Sequence, residues 1–246
     1  MIKIVISPFL AVLLVTFAVG AQSSNEETID AYKLSYVERE PGVDEYPVTL
    51  LVTDRYVRLD EEGENSGYIL YDDKTKVIYS VSHVDNSTLI IKEHKFSEKD
   101  SPVKGKTEYL QLADAPKVSD NDIYNFRLYI EEAANQITCM EIQLVENILP
   151  EVRQMLRNYQ KVVSGQQVRM TDNVVSEVQG GCYFVDQVYN TGAYYDKGLP
   201  IQEWHSNERA RILTSYKKVK VSADKFVIPE GYREFSIDSD MKTSIN

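Results

Sequence analysis

Cysteine, histidine and tryptophan are scarce in this 246-residue chain, which holds two, three and one of them. Two cysteines cannot cage zinc without histidine help, and no C-x-x-C is present for dithiol redox chemistry. No G-x-S-x-G elbow, H-E-x-x-H helix or phosphate-cradling G-x-x-x-x-G-K-[ST] loop occurs. A D-x-D-x-D-G calcium loop is missing as well. Basic residues are also short, with 27 Lys and Arg against 38 Asp and Glu and a formal charge of −11. That balance disfavours nucleic acid, whose phosphates demand clustered cations, and equally disfavours anionic lipid surfaces. No catalytic, cofactor-binding or metal-binding residue is therefore assigned, no cofactor is expected, and the chain is read as a non-enzyme. An active site assembled without a linear motif, a hydrolase, is the least favoured alternative.

What is present begins with a leader. Lys3 precedes the apolar run Ile4 to Phe17, Ala18-Val19-Gly20-Ala21 supplies small residues, and Gln22-Ser23-Ser24-Asn25-Glu26-Glu27 is abruptly polar. This reads as a signal peptide over residues 1–21, because the apolar run falls short of the ~20 residues that span a bilayer. No Cys follows the cut for lipid attachment, so the mature form is expected without a transmembrane segment, periplasmic in a Gram-negative bacterium and otherwise secreted. In such a compartment Cys139 and Cys182 are expected to be bridged.

Short strands with polar breaks fill Tyr32 to Phe96. The run Val48 to Val52 is followed by Tyr56 to Leu59, Tyr68 to Tyr71, Val77 to Val81, and Thr88 to Phe96. Turns at 61–67, 72–76 and 85–87 separate them, a cadence that marks an antiparallel meander with no room for helical crossovers. Strands resume at Tyr124 to Glu131 and Ile137 to Val145, where Met140, Ile142 and Leu144 share one face and Cys139, Glu141 and Gln143 the other. A helix is expected from Pro150, with Leu149, Val152, Leu156, Tyr159 and Val163 as its apolar stripe and Gly165 as its stop. A shorter helix is expected over 172–179. Strands then follow at Cys182 to Tyr189, Leu199 to His205, Ile212 to Val221 and Phe226 to Ile228. The expected fold is α+β: a curved antiparallel sheet, or half-barrel, with one or two helices inserted before the final strands. It forms a single β-rich domain over 22–237 with a polar tail at 238–246.

Two residue types invite a functional reading. Glu203 and His205 lie two apart on an expected strand, so they project from one face, and exposed strand residues explain them. His83 and His94 are read as surface residues. The 17 tyrosines either pack the sheet or line an amphipathic cavity, since each pairs an apolar ring with a polar tip. Asn86-Ser87-Thr88 fits a glycosylation sequon, which would matter only in a eukaryotic secretory route.

The phrases Asp54-Arg55-Tyr56-Val57-Arg58-Leu59-Asp60 and Tyr71-Asp72-Asp73-Lys74-Thr75-Lys76-Val77-Ile78-Tyr79 resemble the periplasmic lipoprotein-carrier (LolA-like) superfamily and related exported domains. The closing Phe226-Val227-Ile228-Pro229-Glu230-Gly231-Tyr232 is similar to the way such domains end. The resemblance implies a half-barrel of about eleven strands, closed by helices over an apolar cavity that in the carriers holds acyl chains. The inserted helix and the Cys139/Cys182 pair depart from that pattern, and no ligand-binding residue is carried over. The function expected is binding of a hydrophobic or amphipathic, lipid-like ligand. The alternative is an interaction module for a protein partner in the envelope.

Overall fold

The computed structural model describes residues 27–60, 67–171 and 180–237. The leader, most of the 61–67 turn, the short helix expected over 172–179 and the polar tail lie outside the described residues. The strands are β1 (Thr28–Arg39), β2 (Tyr46–Val52), β3 (Tyr56–Asp60), β4 (Tyr68–Asp72), β5 (Val77–Ser82), β6 (Ser87–Lys92), β7 (Lys106–Gln111), β8 (Ile123–Glu132) and β9 (Asn135–Val145). Helix α1 (Pro150–Thr171) comes next, then β10 (Leu199–His205), β11 (Ala210–Ser222) and β12 (Arg233–Ser236). All twelve strands join one open sheet in the order β12-β6-β5-β4-β3-β2-β1-β11-β10-β9-β8-β7. Every pairing is antiparallel except β12 with β6, which is parallel at the edge. β1 lies between β2 and β11, so the meander β1–β6 and the group β7–β11 meet along the β1–β11 pair.

Helix α1 starts at Pro150, whose missing N–H costs nothing in a first turn. It buries Val152, Met155, Leu156, Val162 and Val168, close to the expected stripe. Gly165 does not stop it. A Cβ there would lie 2.4 Å from the His94 carbonyl oxygen, so glycine serves a close crossing of helix and chain. Asp73, in the β4–β5 turn, accepts from Tyr71 Oη and Asn158 Nδ2 at 2.8 Å each, which fastens α1 to the meander. Arg55 clamps Asp72 through two bonds of 2.9 and 2.8 Å. That bond, helped by the Lys74 backbone and the guanidinium charge, outweighs burial and holds the Asp72 carboxyl below its usual range.

The sheet carries apolar clusters on both faces. On the helix side, Leu34, Leu50, Val57 and Tyr71 from the meander share one cluster with Ile130, Ile142, Leu144 and the stripe of α1. On the opposite side Leu51, Tyr68, Leu70 and Val81 pack with Phe226. Phe226 belongs to a strap that leaves β11 and crosses back to β12. The expected strand over Phe226 to Ile228 is instead a 3₁₀ turn, Ala223–Phe226, followed by extended chain, because these side chains dock on the sheet and do not pair with it. Phe226 stacks on Tyr56 at 5.4 Å, Tyr68 Oη donates to the Val227 carbonyl at 2.7 Å, and the His83 ring meets Tyr232 Oη at 2.7 Å. The Arg58 guanidinium lies 3.7 Å over the Tyr68 ring and also bonds the Lys225 carbonyl.

Two further expectations are corrected around the disulfide. Cys182 to Tyr189 forms a turn of π-helix, Tyr183–Val188, in which the Tyr189 N–H donates to the Phe184 carbonyl at 2.8 Å. The β-rich spelling Tyr-Phe-Val misleads because this segment covers the sheet and has no strand to pair with. Cys139 does not oppose Met140 across the strand. The β8–β9 register slips there, pairing Leu128 with Met140 but Tyr129 with Thr138, and the bulge leaves both Cys139 and Met140 buried. Cys139 is bridged to Cys182 across a Cα separation of 5.0 Å.

Candidate functional site

Residues 180–198 cover the β7–β10 end of the sheet in short turns, and the chain beneath them is not filled. A cavity of about 540 Å³ opens between this segment, the floor of β7–β9 and the loop 98–105. Phe126, Leu128 and Met140 form its floor and Val103, Val185 and Ala193 its walls. Lys99, Lys104 and Glu98 stand at its rim, where Lys104 Nζ donates to the Lys99 carbonyl at 2.7 Å. Glu98 is engaged by the Thr191 hydroxyl, and a capping box between Ser97 and Asp100 shapes the rim turn.

A second pocket of about 280 Å³ shares Asn190 and Tyr194 with the first, so little more than one side chain separates them. The π turn divides the two, with Val185 lining the apolar cavity and Asp186 the polar one. Here the sequence expectation for Glu203 and His205 is overturned. The Glu203 side chain is 8% exposed and that of His205 21%. The alternation itself holds, for Trp204 points outward while Ile201 packs against the core. Both side chains face the helix side because β10 is interior in the sheet and roofed by residues 180–198.

The charges in this pocket are closely arranged. His205 Nδ1 lies 2.9 Å from both oxygens of Asp186, whose side chain is fully buried, and Nε2 lies 3.8 Å from Glu203. Burial pulls the His205 imidazolium down, but the bonds to Asp186 and Glu203 and their charges outweigh it and hold the group at about 9. His205 is thus a cation at neutral pH. Arg211 Nε donates to Glu38 Oε1 at 2.6 Å, and its guanidinium lies 4.9 Å over the Tyr36 ring. Burial opposes the Arg211 charge, yet Glu203 and Glu38 more than restore it. Tyr194 and Tyr195, with ring centroids 4.7 Å apart, line the wall, and burial drives both phenols well above their usual range. Gln160 bonds the Asn190 carbonyl at 3.2 Å and ties α1 to this wall.

Sequence reasoning therefore paired Glu203 with His205 but missed Asp186, Glu38 and Arg211. Only the apolar Leu199 and Ile201 preceding them on the same strand hinted that the pair faces inward. His83 and His94 stand apart from this pocket, half-buried. Among the described residues no group of His, Cys, Asp and Glu is arranged to hold a metal ion, and no helix is long and apolar enough to cross a membrane.

No protein-family model matches the chain, and no curated protein matches it. Two solved structures of PNGF-II, in the C2 and P21 crystal forms, are similar to it at 12% and 11% identity. The similarity covers 88% and 87% of this chain but 32% and 33% of theirs, with TM-scores of 0.40 and 0.41. The chain spans about a third of the length of that protein.

Proposed function

We propose that this is an exported, non-enzymatic protein that binds a hydrophobic or amphipathic, lipid-like molecule in a half-barrel cavity. The observation that carries the reading is the 540 Å³ cavity floored by Phe126, Leu128 and Met140. Its volume lies within the ~300–1,000 Å³ of small-molecule sites, and its floor is apolar, with polar groups in the loop 98–105 and at Thr107, Asn190 and Thr191. Lys99 and Lys104 at the rim suit a ligand whose apolar body ends in an anionic head. This is also the function that the lipoprotein-carrier resemblance implies. The Cys139–Cys182 bridge supports an oxidising compartment, and with it export.

Native mass spectrometry of the purified protein, followed by titration with a fluorescent fatty acid, tests the reading. A retained lipid or saturable probe uptake is expected. Leu128→Phe, which pushes a ring into the cavity, is expected to weaken uptake about tenfold, the equivalent of a lost or blocked apolar contact. No retained lipid together with no probe uptake would end the proposal.

A further inference from the structure

The polar pocket holds a group that its own surroundings leave short of partners. Glu203 is 6% exposed, and its nearest cation is His205 Nε2 at 3.8 Å, a long and weak contact. Asp186 takes the shorter bonds of that imidazolium, so His205 and the more distant Arg211 charge engage Glu203 only loosely and leave most of its lone pairs open. A buried carboxylate so loosely held has acceptor capacity to spare, and that capacity is directed into the pocket that it lines. Tyr159 adds a second such group: its phenol lies near Arg211 and Glu38 and makes no hydrogen bond among the described residues, while its ring leans on Tyr71 at 5.9 Å. Glu38 and Asp186 are by contrast occupied by Arg211 and His205.

Charge decides what class of ligand can satisfy these groups. The carboxylates of Glu38, Asp186 and Glu203 are balanced by Arg211, the protonated His205 and Arg39 at the mouth, while Arg209 leans on Glu40 at 3.5 Å. A pocket already neutral gains nothing from a free ion, whose desolvation would go uncompensated. Its volume of about 280 Å³ sits at the small end of ligand sites, and phenols, amides and a loosely held carboxylate outnumber apolar groups on its walls. Hydroxyl groups can donate to Glu203 and to the Gln160 amide oxygen and accept from Tyr159, while flat tyrosine rings cover the carbon skeleton.

We propose that this pocket is a second ligand site, distinct from the apolar cavity, which takes a small uncharged, hydroxyl-rich molecule of polyol or monosaccharide size, with Glu203 accepting a hydroxyl proton. The proposal does not depend on the lipid-binding reading, because the two pockets are lined by different side chains apart from their shared wall.

Calorimetric titration of the full chain at neutral pH with glucose and myo-inositol, against ethanolamine and sulfate as charged controls, tests it. Saturable millimolar binding of at least one neutral compound is expected, with ethanolamine and sulfate silent. Glu203→Gln is expected to weaken that binding at least about tenfold, since a charge-assisted hydrogen bond becomes a neutral one. Should Glu203→Gln fail to fold by circular dichroism, Tyr159→Phe decides, because its hydroxyl supports nothing in the fold; several-fold weakening is expected. Leu128→Phe is expected to leave the affinity unchanged. No binding of either neutral compound, preference for a charged control, or affinity indifferent to the folded pocket variants would overturn the proposal.

Discussion

The two ends of the sheet are covered in different ways. At the meander end, β2 to β5 are packed on both faces, by the long helix on one side and by the Phe226 strap on the other. At the other end, β7 to β10 are roofed by residues 180–198, a π turn and a 3₁₀ turn held by a disulfide. A helix of 22 residues presents a continuous ridge that fills the groove beneath it. One-turn pieces present no ridge, so space is left between their side chains and the sheet. The apolar cavity lies under that irregular roof, and the polar pocket lies where the roof meets α1. Regular cover makes core; irregular cover makes room, at the cost of needing a covalent tie.

Removing the tie should therefore separate the two ends most strongly. The Cys139–Cys182 bridge closes a loop with a sequence separation of 43, worth about 4 kcal/mol on the chain-entropy estimate. The double variant Cys139→Ser/Cys182→Ser is expected to lose most of that in chemical denaturation. Amide exchange should rise over residues 180–198 and stay slow in β3 and β4; equal acceleration in both would erase the distinction. The converse test is Phe226→Ala, which removes a buried ring stacked on Tyr56 and should cost about 3 kcal/mol. Here exchange is expected to rise in β3 to β5 while probe uptake in the apolar cavity is retained. Smaller still is the effect of pH. The folded pKa of His205, about 9, stands above the ordinary 6.5, so its contribution is complete below pH 6.5 and disappears as pH rises through 9. That contribution is at most about 3 kcal/mol, given a shift of this size. Thermal unfolding of the wild type should fall across this window, and that of His205→Gln should be flatter; parallel curves would show that the Asp186 pair adds nothing.

The meander end is the part that sequence makes legible. Alternation and turn residues place β2 to β6 within a few positions, since each strand pairs with its neighbour in sequence and the polar breaks are local signals. The covering elements are not legible in the same way. Gly165 spells a helix end, yet what it serves is a carbonyl that arrives from residue 94. Tyr183 to Val188 spells a strand, and no local signal says that the neighbouring edge is already taken. The polar pocket suffers from the same limit. Glu203 and His205 announce a shared face, but Asp186, Glu38 and Arg211 come from three other places along the chain, and burial turns an ordinary strand pair into a charged cluster.

The placement of β1 has a consequence for how the chain reaches this state. Thr28 pairs with Ser222 and Arg39 with Ala210, so the earliest described strand waits for one of the last. Until about residue 222 has emerged, the nascent meander carries one long bare margin, open to neighbouring chains as a template. Closing that seam late, across so great a loop, makes completion of the sheet slow and cooperative.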